Sequence, residues 1–381
     1  MALPPLVEPV AELTDAERTR TARHRVLVGF GEIAQRRLAA AHVAVVGAGG
    51  IGSPVVLALA AAGVGTITVI DDDLVEASNL QRQVMHRVSD VGAAKVDSAV
   101  RIASDLSPTT VVRPVQALLT PDNAVDLLSG AHVVVDGTDT FETREAVASA
   151  CERLGVPLVW GVVQEFHAQA TVFWSAPPAG AMPVLLADLY PPDAGREAPS
   201  CAQVGVLGAL CLQVGSILAT ETVKLITGVG DPLLGRVLVI DALRGRTDEV
   251  PLRPATDRAT DAATPAPAHV STAAPQLRHA PAIPQLSPAE ALAAQHAGTT
   301  LLDVREPFET ERGVIPGSVL LPLGDVLADP SSIGATTVIV VCQVGMRAQR
   351  AAVALRGAGV EASVLAGGIE AWNRDIAAVH A

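Results

Sequence analysis

Short runs of aliphatic and β-branched residues recur through the first 250 positions, and the stretches between them carry apolar residues at helical spacing. VAVV begins at Val43 and TITVI at Thr66, and later runs fall at 110–115, 132–136 (HVVVD) and 157–161. Helices are predicted after Ser53, over 93–104, from Thr120-Pro121, where Pro is tolerated at the first position, and over 142–154. Such alternation implies a parallel sheet with helices on its faces. Ahead of it, Thr14 and Glu17 make a capping-box pair that opens a helix over 15–27. Gln169–Trp174 reads as an antiparallel edge strand, 175–200 as a surface crossover, 204–227 as paired buried apolar helices, and Arg236–Asp241 as the closing strand.

The pattern stops near 250. Residues 251–286 hold seven Pro and ten Ala with no aromatic, a linker composition that spans roughly 30 Å or more even as a coil. A new capped helix starts at Ser287-Pro288-Ala289-Glu290, followed by strands at 300–304, 337–341 and 362–365 and helices near 347–356 and 369–376. The expected division is thus 1–250, 251–286 and 287–381, two α/β domains joined by a linker.

The first candidate chemistry lies where VAVV turns through Gly47-Ala48-Gly49-Gly50-Ile51-Gly52 into a helix, with Asp71 at the end of the next strand. This is the fingerprint of a nucleotide-binding βαβ unit: glycines admit phosphate to the backbone, the helix N-terminus offers N–H groups, and the carboxylate takes ribose hydroxyls. Alone it leaves NAD, FAD and ATP open. Asp139, in Asp136-Gly137-Thr138-Asp139, falls at another strand end, where such sheets bind ligands.

The net charge of −13 argues against nucleic acid or an anionic membrane as the main partner. Two long uncharged stretches, 53–70 and 204–220, contain Pro, Gly, Gln or Ser and read as buried elements rather than membrane spans. The N-terminus has no basic segment before an apolar one, so a cytoplasmic enzyme without a signal peptide is expected. Four cysteines (151, 201, 211 and 342) form no C-x-x-C pair, which fits a reducing compartment and individual thiols. Cys342 stands out, since it ends TVIVV and is followed by Gln343-Val344-Gly345-Met346-Arg347 and a helix. Backbone N–H groups, a helix N-terminus and an arginine there would favour an anionic sulfur, thiolate or persulfide. Cys151 and Cys211 sit in apolar helical contexts and read as core.

Beyond the glycines come Ser78-Asn79-Leu80-Gln81-Arg82-Gln83, Lys95 and Gly137-Thr138-Asp139. With Cys201 ahead of Gly205-Val206-Leu207-Gly208, these resemble the E1-like adenylyltransferases of the MoeB/ThiF group, which activate sulfur carriers. LLDVREPFE (301–309), CQVGMR (342–347) and LAGGIEAW (365–372) resemble the rhodanese domain. The order of the two halves resembles that of the actinobacterial MoeZ type. The fold this implies is α/β: a Rossmann-like E1/ThiF domain with a mostly parallel sheet, then a small α/β rhodanese domain. The resemblance implies ATP and Mg²⁺ as cofactors. Gly47, Gly49, Gly50 and Gly52 would form the phosphate cradle and Asp71 the ribose contact. Ser78, Asn79, Leu80, Gln81 and Arg82 would form the nucleotide loop, with Lys95 on phosphate. Asp139 would serve Mg²⁺, with Thr140 where Asn is common. It implies a homodimer in which Arg23 acts across the interface. Cys201 would attack the activated carrier and Cys342 would carry the persulfide. The partners it implies are a small ubiquitin-like sulfur carrier ending in Gly-Gly and a sulfane sulfur donor, thiosulfate or a cysteine desulfurase. Met182 and Leu185 stand where related enzymes place a zinc-binding C-x-x-C, so no zinc site is expected. Glu165 and Phe166-His167-Ala168-Gln169 depart from the usual basic residue and F-E-G-Q.

Ser78–Gln83 and Lys95 argue against an NAD-linked oxidoreductase fused to a rhodanese, which needs neither Arg82 nor Lys95, and intact Arg82, Lys95, Asp139, Cys201 and Cys342 argue against a non-catalytic docking scaffold. Substantial shortening of 251–286 should lower carrier thiocarboxylate formation while sparing ATP–pyrophosphate exchange; equal loss of both would contradict a linker that serves reach.

Overall fold

A computed structural model describes residues 3–191, 205–254, 283–311 and 313–376. The chain divides into two compact units, each built on its own sheet. The first holds eight strands: β1 His42–Val46, β2 Thr66–Ile70, β3 Val111–Val115, β4 Val133–Asp136, β5 Leu158–Gln164, β6 His167–Phe173, β7 Arg236–Asp241 and β8 Arg246–Pro251. Their order is β3-β2-β1-β4-β5-β6-β7-β8. The strands from β3 to β5 are parallel, and β6, β7 and β8 add on antiparallel.

Alternate side chains of β1 feed two cores. Val43 and Val45 pack on one face with Val55, Leu59, Val214 and Leu218, while Ala44 and Val46 pack on the other with Val134, Val147 and Trp160. Burial on both faces is why these strands read as continuous apolar runs. The register levels the site. Val46 stands opposite Ile70 on one side and Asp136 on the other, so the residues that follow β1, β2 and β4 emerge at one height.

Several expectations change. The helix expected over 15–27 is two short ones, Asp15–Arg20 and Ala22–Arg25, parted at Thr21, whose backbone leaves the helical region at φ −96° and ψ 13° and whose hydroxyl turns back onto the Glu17 carbonyl at 2.7 Å. The apolar pair at 204–227 is, in the described residues, one helix, Gly208–Thr227. It passes close to the helix Gly52–Ala62, where a β-carbon on Gly215 would stand 2.3 Å from Pro54. Among the described residues it is the one helix long and apolar enough to cross a membrane. Its Leu210, Val214, Leu218 and Ile226 are buried in the core, and buried Glu221 accepts from the Leu233 N–H at 2.8 Å. β6 lies inside the sheet rather than at its edge, and β8 was not expected at all.

The second unit has β9 Gln285–Leu286, β10 Thr300–Asp303, β11 Val319–Leu320, β12 Thr337–Val341 and β13 Glu361–Leu365, in the order β11-β10-β12-β13-β9 and all parallel. Val338 and Val340 face one core, and Ile339 and Val341 the other. The predicted cap at Ser287 is present, with the Ser287 N–H donating to Glu290 Oε2 at 2.8 Å. β9 and the last residue of β8, Pro251, fall inside the stretch expected to be linker; residues 255–282 of that stretch lie outside the described residues.

Leu218 is fully buried against the first sheet. Leu218→Ala should cost about 2–5 kcal/mol in urea unfolding; a cost under about 1 kcal/mol would contradict this packing.

Candidate functional site

The turn out of β1 leaves no room for side chains. Gly47 takes φ +87°, and a β-carbon on Gly52 would stand 1.7 Å from the Gly47 carbonyl oxygen. The Ala48 peptide is held at both ends. Its N–H donates to Asp71 Oδ2 at 2.7 Å, and its carbonyl accepts from His86 Nε2 at 3.0 Å and Ser53 Oγ at 3.1 Å. That bond puts the proton of His86 on Nε2, and burial pushes its pKa down, keeping the ring neutral. Asp71 Oδ1 accepts from the Asp73 N–H at 2.9 Å. Burial raises the Asp71 carboxyl, while Lys95 and these two N–H groups oppose the rise.

Lys95 begins the helix Lys95–Leu106, buried at the carboxyl end of the sheet. Its Nζ donates to Asp73 Oδ2 at 2.7 Å and stands 3.9 Å from Asp71 Oδ1. Ala77–Asn79 forms a single tight turn closed by Asn79 Oδ1, which accepts from the Glu76 N–H at 3.0 Å. Ser78 and Gln81 are exposed, Leu80 and Arg82 half-buried, and Arg82 Nη1 rests on the Ser78 carbonyl at 3.2 Å. Arg82 also borders the cradle, since a β-carbon on Gly50 would lie 3.5 Å from its Cγ. Behind Gly49 lies Gln83, whose Nε2 is 3.6 Å from where a β-carbon would stand. Its Oε1 and His86 Nδ1 are buried acceptors with no partner in the described structure. A Cβ-free cradle, a carboxylate with open lone pairs, two cations and orphaned acceptors suit a nucleoside triphosphate.

At the end of β4, Asp136 is fully buried, and its Oδ1 accepts from the Thr138 N–H and hydroxyl at 2.9 and 2.7 Å. Burial raises its pKa against the nearby Arg144 guanidinium. This fixes the turn that leaves Asp139 and Thr140 exposed, with Thr140 capping the helix Phe141–Leu154. Arg23 is exposed on its short helix, beside exposed Val26, Leu27 and Val28. Cys201 lies outside the described residues. Glu165, at the β5–β6 turn, takes φ +52°, a strained value for a residue with a β-carbon.

In the second unit, Cys342 is buried where β12 ends, and its Sγ accepts from the Gly345 N–H at 3.1 Å. Gly345 takes φ +118° before the helix Met346–Gly357. The helix Gly368–Asp375 closes on the loop, with Ile369 N–H donating to the Cys342 carbonyl at 2.9 Å; a β-carbon on Gly368 would stand 2.4 Å from that oxygen. Gln343, Val344, Gly345 and Met346 are half-buried around the sulfur. The sequence suggested an arginine beside the sulfur; in the structure both Nη atoms of Arg347 donate to Glu309, and its charge acts on Cys342 through space.

Residues 21–260 match the family model of the ThiF family. The chain belongs to that family. Beyond the ThiF part, residues 287–375 match the rhodanese-like domain. A Mycobacterium tuberculosis protein named "Probable adenylyltransferase/sulfurtransferase MoeZ" is 41% identical over 98% of this chain and 97% of its own. The "SAMP-activating enzyme E1" of Haloferax volcanii is 42% identical over 61% of this chain and 85% of its own. A crystal structure of E. coli MccB shares the fold, with a TM-score of 0.55 at 21% identity over 64% of this chain and 73% of that one.

Within the ThiF part, residues with clear geometric work escaped the sequence reading. His86 and Asp73 each hold a site loop, yet neither occupies a glycine, cation or strand-end position that marks chemistry by itself; Asp136 was read only as part of the strand-end motif, not as the residue that fixes its turn. Glu309 was seen only as part of LLDVREPFE; its pairing with Arg347 spans 38 positions.

Hydrogen bonding from Arg347 holds the Glu309 carboxyl below its ordinary value of 4.5. This carboxylate therefore stabilises the second unit above pH 4.5, and the contribution is lost as pH falls through the depressed value. The melting-temperature gap between the unsubstituted chain and Glu309→Gln should be widest above about pH 5 and close towards about pH 3. A gap that stays constant across that range would contradict the pair.

Proposed function

We propose that this chain adenylates the C-terminal glycine of a small ubiquitin-like sulfur carrier with Mg-ATP and converts it to a thiocarboxylate with sulfur held on Cys342. The observation that carries the reading is the presence, in one chain, of the cation-lined cradle of a ThiF-family enzyme and a cysteine loop of rhodanese type. A relative similar over both parts is named an adenylyltransferase/sulfurtransferase, and one similar over the ThiF part is named a SAMP-activating enzyme.

The carrier carboxylate attacks the α-phosphate of ATP, the bond to the β-phosphate breaks, and pyrophosphate leaves. Anion meets anion in this step, so positive charge near the phosphates stabilises the transition state. Lys95 and Arg82 supply it, and each exchanges its present partner for phosphate: Lys95 the exposed carboxylate of Asp73, and Arg82 a backbone carbonyl. Asp71 takes the ribose hydroxyls on its remaining lone pairs, while Gln83 and His86 offer acceptors to the nucleotide's own donors. Asp139 would hold Mg²⁺, which adds charge neutralisation when bound.

We assign the partner subunit's Arg23 to the phosphates of each site, in a homodimer. The exposed Val26, Leu27 and Val28 give that segment an apolar surface for a second copy to cover. The outer sulfur of the Cys342 persulfide attacks the acyl carbon and AMP leaves, giving an acyl disulfide; the Cys201 thiolate then attacks Cys342 Sγ, the S–S bond to the acyl sulfur breaks, and the thiocarboxylate leaves while a Cys201–Cys342 disulfide remains for an external thiol to reduce. In the thioester route Cys201 takes the acyl group from AMP first, and the persulfide displaces it. Met182 and Leu185 offer no zinc ligands, so the reading includes no zinc.

Candidate carriers incubated with the chain, Mg-ATP and a sulfane sulfur donor should show replacement of one terminal oxygen by sulfur in mass spectrometry. Cys342→Ala should lower that product by about two orders of magnitude or more while leaving adenylation intact. Undiminished product would overturn the role of Cys342.

A further inference from the structure

The helix Gly208–Thr227 meets the nucleotide site along one face. Gly208, Cys211 and Gly215 fall at i, i+3 and i+7, so all three point the same way. A β-carbon on Gly208 would stand 2.3 Å from the Gln81 carbonyl oxygen and 3.3 Å from Arg82 Cα. One turn on, Cys211 Sγ and Arg82 Cγ both border Gly50, at 3.1 and 3.5 Å from where its β-carbon would be. At the next turn a β-carbon on Gly215 would meet Pro54 Cγ at 2.3 Å and the Ile51 carbonyl oxygen at 2.7 Å.

Arg82 therefore runs across the first turn of this helix. Its Cα lies against Gly208 and its Cγ reaches the cradle beside Cys211, so the stem is fixed at both ends. The guanidinium beyond it rests on the Ser78 carbonyl and is left to swing. The helix start is held in turn. Gly215 locks it to the cradle helix, the Glu165 N–H donates to the Gly205 carbonyl at 3.1 Å, and the Leu207 N–H donates to the Glu165 carbonyl at 3.0 Å. A cation whose stem is placed in advance loses less conformational entropy on engaging phosphate, and it meets developing charge without reorganisation.

We propose that Gly208 and Cys211 are positioning residues for adenylation, which set the place of Arg82 and with it the charge that meets the phosphates. The proposal rests on the reading of Arg82 as a cation on phosphate. Cys211 is buried, and its sulfur fills the space beside Gly50 and the Arg82 stem that a smaller side chain would leave open. Gly208 admits the Gln81 carbonyl where any side chain would push it away. Neither residue takes part in the bond changes; both act through Arg82.

The test is a double-mutant cycle on the full chain, read by ATP–pyrophosphate exchange with a carrier ending in Gly-Gly and by thermal melting. Gly208→Val must displace the Gln81–Arg82 backbone by about 1 Å and should lower kcat for exchange by about tenfold to a hundredfold. Cys211→Ala, which loosens the stem without pushing it, should lower kcat by about threefold to tenfold. In an Arg82→Ala background each substitution should cost less than about twofold in exchange, because the residue it acts through is gone, while any fall in melting temperature should be the same in both backgrounds. An equal fold-loss of exchange in the two backgrounds would overturn the proposal and leave packing as the role of these residues. Exchange unchanged by either substitution would overturn it as well. If Gly208→Val does not fold, the Cys211→Ala cycle decides by itself. Undiminished exchange in Arg82→Ala alone would instead overturn the phosphate reading of Arg82, and the proposal with it.

Discussion

At Gly52 a β-carbon would stand 1.7 Å from the Gly47 carbonyl oxygen, so the turn between β1 and its helix closes only around hydrogen. That contact brings the start of the helix against the end of the strand and leaves backbone N–H groups facing the space above the sheet. The other parts of the nucleotide site build on it. Asp71 and His86 grip the Ala48 peptide from two sides, and the shared register of β1, β2 and β4 puts Asp71 and the Asp136–Asp139 turn at the same height. A carboxylate that holds the loop also remains able to meet the ribose, so one residue links fold and chemistry.

The two candidate sites hold their cations differently. Lys95 rests on Asp73, which is 67% exposed, and Arg82 on a backbone carbonyl, so an incoming phosphate competes with weak, solvated partners. Arg347 is held by both oxygens of a carboxylate that is 17% exposed. The first arrangement suits a site that must take up a highly charged anion. The second suits a site where an arginine shapes a loop and the reacting group is a sulfur.

Much of this was legible in the sequence, for identifiable reasons. The parallel strands are buried on both faces, so VAVV, TITVI and HVVVD announce themselves, and Gly47 to Gly52 marks a backbone conformation that other residues cannot adopt. β8 was not legible, because RTDEVP lies at the sheet edge and carries charge where a strand signal needs apolar alternation. At Thr21 the backbone leaves the helical region and the hydroxyl turns back onto the helix, a choice that spacing does not encode. His86 and Glu309 depend on tertiary contacts, and Asp136 on a local turn that spacing does not mark. Their roles follow from which carbonyl, N–H or guanidinium the fold brings to them.

The central claim is that the cradle activates a carboxylate rather than moving a hydride. ATP–pyrophosphate exchange tests it most directly, run on the full chain with a ubiquitin-like carrier ending in Gly-Gly and with the same carrier lacking its last glycine. The account predicts exchange that requires Mg-ATP and the intact carrier terminus and that falls by about two orders of magnitude or more in Arg82→Ala. Exchange absent with every carrier, together with binding of a nicotinamide dinucleotide in preference to ATP, would contradict it.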